Sequence, residues 1–178
     1  MIRLFAGITL PDEQRQQLAE IQSGIKDARW VAAESLHVTL RFIGEIDEDV
    51  AKRLSTNLGE VTSAPFELTL NELGTFGRPP YSVWAGVEDA PSGTLAHLQA
   101  SIESVLVRAG EEPEGRKFSP HVTLARFRKS DNTASLAPYL KTHAGFALSP
   151  FTVNGFTLFE SRLSHKGAHY APYAEFDF

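Results

Sequence analysis

The stretch SLHVTLRFIG, residues 35–44, decides how the chain reads, because its tetrapeptide HVTL (37–40) returns letter for letter at 121–124, inside SPHVTLARF. Both copies are rich in strand formers, and the first closes on a glycine, Gly44. Side chains two apart in a strand share a face. His37 and Thr39 therefore point one way, and Val38 and Leu40 the other. His121 and Thr123 stand in the same relation to Val122 and Leu124. The apolar pair suits a core, and the polar pair suits solvent or a cleft. If the two strands belong to lobes related by a two-fold, their histidine–threonine faces meet across one groove.

Working outward, IRLFAGITL reads as a first strand ended by Pro11. From Asp12 to about Ala28 the period becomes helical, with Leu18, Ile21 and Ile25 as the apolar marks. RWV (29–31) is a short extended piece. Val50, Leu54, Leu58 and Val61 mark a second helix that stops near Pro65. FELTLNELGTF and SVWAGVED read as strands joined by the turn GRPPY. Leu95, Leu98, Ile102, Val105 and Leu106 trace a third helix, and the charged loop GEEPEGRK follows. After the second histidine strand come a loop, SDNTAS, and a short helix over Ser135–Lys141. The remainder, FALSPFTVNGFTLFES and AHYAPYAEFDF, is strand again around the hairpin HKG. Alternating strand patterns and short turns predict an α+β fold with antiparallel sheets. The expected architecture is one bilobal domain over residues 1–178. Two antiparallel sheets line a central groove, helices lie outside, and the order of elements repeats about a pseudo-two-fold.

Composition narrows the function. The net charge is −5, from 17 Lys and Arg against 22 Asp and Glu. That balance argues against broad non-specific attachment to nucleic acid but leaves room for a small basic cleft. With no cysteine, disulfides and thiolate catalysis are impossible. No stretch approaches the roughly 20 apolar residues that cross a bilayer, and no signal-peptide core is visible. A soluble cytoplasmic protein, and a monomer, is the expectation.

Two imidazoles on one groove suit a reaction that needs one general base and one general acid, since each titrates near neutrality. In-line displacement at phosphorus needs an activated attacking oxygen on one side and a protonated leaving oxygen on the other. Hydroxyl donors on the non-bridging oxygens, from Thr39 and Thr123, offset the charge that develops. Arg126 adds a cation near the end of the same strand. Chance supplies roughly 0.4 His-x-Thr triplets in a chain of this composition, so two copies with identical fillers point to chemistry rather than accident. A metal site would need a third ligand; no HxH or HExxH is present, and no metal or other cofactor is expected. His97, His143 and His165 read as surface residues, and His169 opens the last strand. Arg116, Lys117, Arg128 and Lys129 form a basic cluster with Arg126 that also suits a solvated edge. Phe76, Phe118, Trp84 and Tyr170 are aromatic candidates for stacking a base, although core packing is the commoner use of such residues.

These residues carry a resemblance. The chain resembles the two-histidine (2H) phosphoesterase family, and within it the bacterial RNA 2′,3′-cyclic phosphodiesterases, which are also called 2′-5′ RNA ligases. The similarity runs through RLFAGITLP, RWVAAESLHVTLRFIGE, VWAGVED, FSPHVTLAR and LFESRLSHKGAHYAPYAEF. It implies a metal-independent enzyme that opens a 2′,3′-cyclic phosphate on an RNA 3′ end or nucleotide and leaves a 2′-phosphate. It implies His37 as proton donor to the departing 3′ oxygen and His121 as proton acceptor from water. Thr39, Thr123 and Arg126 are then the phosphate ligands. The segment GTFGRPPYSVW is short and proline-rich where family members often carry a longer basic stretch. Competing readings are 2′-5′ ligation, hydrolysis of small cyclic phosphates, and a non-catalytic RNA-binding module. The retention of both histidines and both threonines argues against the last.

Overall fold

A computed structural model describes all residues, 1–178. In chain order the elements are β1 (Ile2–Thr9), α1 (Asp12–Glu20), β2 (Arg29–Trp30), β3 (His37–Ile46), α2 (Glu48–Leu58), β4 (Phe66–Phe76) and β5 (Ser82–Ala90). Then come α3 (Thr94–Arg108), β6 (His121–Arg126), α4 (Leu136–Thr142), β7 (Phe151–Val153), β8 (Gly155–Ser164) and β9 (Gly167–Asp177). A short 3₁₀ turn, Ala33–Ser35, leads into β3. Every strand pairing is antiparallel, as the alternating patterns predict.

The strands run in the order β7-β4-β5-β6-β3-β1-β8-β9, and β2 pairs with the last two residues of β6 on the edge opposite β5. The two expected sheets are joined into one. The join is a single residue pair, Val38 opposite Val122, so the valines of the two HVTL copies are partners. Each strand then bends away at a bulge. Ala6 faces Arg41 while Gly7 faces Thr39, which leaves Leu40 as the extra residue in β3. Val83 faces Ala125 while Trp84 faces Thr123, which leaves Leu124 as the extra residue in β6. Bulges bend the strand that carries them, and here they part the two halves.

One cluster of 33 buried apolar side chains runs through both halves, from Leu4 and Ala6 to Phe156 and Leu158. Val38, Leu40, Val122 and Leu124 all belong to it, so the apolar filler of each tetrapeptide faces the core. The buried face of α3 is Leu95, Leu98, Ile102, Val105 and Leu106, the five residues the period marked. Burying each such side chain stabilises by about 1.5–3 kcal/mol. Helices α2 and α3 touch each other and pack on β1, β3 and β5. No helix is long and apolar enough to cross a membrane.

Some boundaries differ from the periodicity. Helix α1 ends at Glu20 rather than near Ala28. The reason is Gln22, whose side-chain amide donates to the carbonyls of Val31 (2.8 Å) and Leu124 (3.1 Å). That tie turns the chain, through Gly24 and Asp27 at positive φ. Ile25 is still buried, but as a loop residue. Val61 is likewise buried beyond the end of α2. The stretch FALSP forms only an isolated bridge, Ala147 to Asn71, before β7.

Candidate active site

The register that pairs Val38 with Val122 sets His37 across from Thr123 and Thr39 across from His121. All four line one cavity of about 250 Å³, together with Arg126, Ser82 and Arg116. The groove expected from the repeat is therefore present, with both polar pairs on it.

Each imidazole is held the same way. His37 Nδ1 lies 2.7 Å from the carbonyl oxygen of Ser35, and His121 Nδ1 lies 2.7 Å from that of Ser119. A carbonyl only accepts, so both Nδ1 atoms carry the proton and both neutral rings present a bare Nε2. In His37 that Nε2 accepts a 2.9 Å bond from the Thr39 hydroxyl. The two anchors follow a pattern that the tetrapeptide reading missed. A serine stands two residues before each histidine, so the repeat is S-x-H-V-T-L in both copies.

Aromatic rings pack on both histidines. Phe5 stacks obliquely on His37 with centroids 4.8 Å apart, and Tyr170 meets it edge-on at 5.1 Å. Phe76 meets His121 edge-on at 4.9 Å, with Trp84 behind at 6.4 Å. Burial among these rings pushes His37 down from 6.5 to about 4; the Ser35 carbonyl opposes the shift, and the positive charge of Arg126 adds to it. His121 is lowered for the same main reason, burial, again opposed by its serine carbonyl and reinforced by Arg126. Both imidazoles are therefore favoured in the neutral form at pH 7.

Strict alternation would point Arg126 away from Thr123, because the two are three apart. The bulge at Leu124 restores it to the groove face. Phe42 gains the same face from the bulge at Leu40, and it holds the position in the first copy that Arg126 holds in the second. Arg126 and Lys117 take part in no salt bridge, whereas Arg116 donates to both oxygens of Glu114 at 3.0 and 3.2 Å.

The other candidates divide. Phe76 and Tyr170 line the cavity that holds both histidines. Phe118 does not; it lines an adjoining cavity of about 290 Å³ with Arg116, Lys117 and Gln99. Arg128, Lys129, His97, His143, His165 and His169 line neither of these cavities, and His143 packs on Tyr139 instead, at 4.5 Å. Val31, Ser35 and Ser82 line the cavity without having been foreseen, and so do two exposed aromatics, Phe42 at 52% and Tyr81 at 57%. Both aromatics line the passage shared by the two cavities. Tyr81 belongs to the proline-rich turn, which therefore reaches the groove with an aromatic ring.

The chain is similar to known proteins over most of its length. Residues 10–164 match the 2'-5' RNA ligase superfamily. The RNA 2',3'-cyclic phosphodiesterase of Aeropyrum pernix is 35% identical over 142 residues, covering 79% of this chain and 80% of that protein. The RNA 2',3'-cyclic phosphodiesterase of Escherichia coli is 34% identical over 173 residues, covering 96% and 93%. The crystal structure of E. coli LigT complexed with 3'-AMP has a TM-score of 0.79 and 29% identity, covering 99% of this chain and 98% of that one. The chain belongs to the 2′-5′ RNA ligase superfamily, the two-histidine phosphoesterases.

Proposed function

We propose that this chain is an RNA 2′,3′-cyclic phosphodiesterase, acting as a monomer and without a metal ion on RNA 3′ ends or nucleotides that bear the cyclic phosphate. The observation that carries the reading is the mirrored placement of two Nδ1-anchored imidazoles and two threonine hydroxyls on one groove, with Arg126 beside them. Two relatives that bear this activity in their names match 95% and 96% of the chain.

In the reaction, His121 Nε2 takes a proton from water as the oxygen attacks phosphorus. His37 Nε2, protonated, gives its proton to the 3′ oxygen as the P–O3′ bond breaks. Water is consumed, and the products are a 2′-phosphomonoester and a 3′-hydroxyl. Thr39, Thr123 and Arg126 bind the non-bridging oxygens and offset the charge of the transition state. The depressed basicity of His37 suits an acid once it is charged, because a proton held weakly is given readily. The phosphate monoanion supplies the opposite charge that lets His37 take that proton on binding. With an RNA 5′-hydroxyl in place of water, the same arrangement runs ligation.

The test is hydrolysis of a nucleoside 2′,3′-cyclic phosphate, and of a short RNA ending in one, with a strong chelator present. Full activity and a 2′-phosphate product are expected. Substitution of either histidine by alanine is expected to lower kcat by about 10²–10⁴. A 3′-phosphate product would make the 2′ oxygen the leaving group and overturn the regiochemistry, and activity that needed added metal would overturn the metal-free reading.

A further inference from the structure

Arg41 directly follows the first HVTL, and its place in the second copy is taken by Ala125. The bulge at Leu40 turns Arg41 inward, where it is 8% exposed. A buried guanidinium persists only if its donors are satisfied. Here Nε donates to the carboxylate of Glu103 on α3, Nη1 to the carbonyl of Phe42, and Nη2 to the carbonyl of Glu112. The other oxygen of Glu103 accepts from the backbone N–H of Glu114 at 2.7 Å. One ion pair therefore joins β3, α3 and two points of the chain between α3 and β6.

That connecting chain, residues 111–120, contains no helix or strand. It brings Arg116 to the groove and Lys117 and Phe118 to the adjoining cavity, and near its end lies Ser119, whose carbonyl holds His121 Nδ1. The first histidine has no such need. Its anchor, Ser35, closes a 3₁₀ turn with its own backbone bonds, Ser35 N–H to Ala32 O at 2.8 Å and Leu36 N–H to Ala33 O at 3.2 Å. The second anchor sits at the end of an irregular segment, and the Arg41–Glu103 pair ties that segment down.

We propose that Arg41 and Glu103 form a latch that fixes residues 111–119 as one wall of the groove and, through the Ser119 carbonyl, sets the ring of His121. Arg41 is then a positioning residue: it acts through the segment, and its own guanidinium is spent on the protein. Lysine does not replace it, because one ammonium cannot serve three acceptors spread around a planar fork. Glutamine does not replace Glu103, because its single oxygen cannot accept from both Arg41 and Glu114.

The test compares Arg41→Met, Arg41→Lys and Glu103→Gln with wild type and with Tyr139→Phe. The last removes a bond outside the groove, from the Tyr139 hydroxyl to the Ile21 carbonyl at 2.6 Å, and serves as the control for lost stability. Amide hydrogen exchange is read over residues 111–119, and nitrogen-15 shifts report tautomer and titration of each histidine. All three latch variants are expected to raise exchange in the segment about tenfold or more. The Nδ1 proton of His121 loses its fixed acceptor, so its nitrogen-15 shifts and its titration change, while those of His37 stay as they were. The control changes neither. These readouts need no turnover. The kinetic arm rests on the function proposed above and expects kcat/KM for a cyclic phosphate to fall about tenfold or more in the latch variants alone. Should wild type be inert on cyclic phosphates, the functional reading fails and the exchange data still decide the latch. Unchanged exchange and unchanged His121 signals in folded Arg41→Met or Glu103→Gln would overturn the proposal and leave the pair a contributor to global stability only. If Arg41→Met does not fold, Glu103→Gln decides alone.

Discussion

Protonating His37 should lower the protein's stability, and the size of the effect follows from its environment. In the folded state its ring titrates at about 4 because it is buried among Phe5, Phe159 and Tyr170. In the unfolded chain it returns to 6.5. Between those values the unfolded state binds the extra proton, so stability rises with pH. The contribution is fully present above pH 6.5 and is lost as pH falls toward 4. By linkage, the loss at pH 4.5 relative to pH 7.5 is about 2–3 kcal/mol for this one group. The assay is urea unfolding of wild type and His37→Gln across that range, read as the difference between their pH dependences. Wild type should lose about 2–3 kcal/mol more than the variant. Equal pH dependences, or a His37 resonance titrating near 6.5 in the folded protein, would refute the desolvation argument. Bound inorganic phosphate should move the same resonance upward, since the anion stabilises the charged ring.

Three further outcomes follow from the geometry. In Arg126→Gln, the titration of both His37 and His121 should move upward by NMR, because the guanidinium lowers both, and the affinity for phosphate should fall about tenfold, the loss of one charge-assisted contact. Gly7→Ala should lower kcat without unfolding the protein. A Cβ there would stand 2.9 Å from the Val38 carbonyl oxygen and 3.5 Å from the His37 ring, so circular dichroism should be native while turnover falls. Leu98→Ala, at a fully buried position on α3, should cost about 2–5 kcal/mol in urea unfolding and leave kcat per folded molecule unaltered.

The period-two rule applied to HVTL gave the correct faces for His37, Thr39, His121 and Thr123, since no bulge lies between them. It misplaces Arg126 and Phe42, because a bulge after each leucine adds one residue and reverses the faces beyond it; a bulge leaves no mark in a strand of ordinary composition. The helical period located α3 fully but overran α1, where Gln22 spends its side chain on two distant carbonyls that no local pattern announces. The join of the two halves through Val38 and Val122 was equally hidden, because pairing across 84 positions is a tertiary fact. Arg41 illustrates the same limit. In sequence it is a strand-edge cation next to a motif, and only the fold shows it turned inward onto Glu103 and the segment before His121.

The proposed reaction divides acid and base work at one phosphorus between two histidines. The most direct measurement is the pH dependence of kcat/KM for a 2′,3′-cyclic phosphate in wild type, His37→Ala and His121→Ala. Both free imidazoles are held below 6.5, and the productive form carries one proton between them. The account therefore predicts a bell for wild type with its maximum on the acid side of neutrality, and loss of the bell in each variant. A monotonic wild-type profile, or a bell that survives removal of either ring, would contradict it.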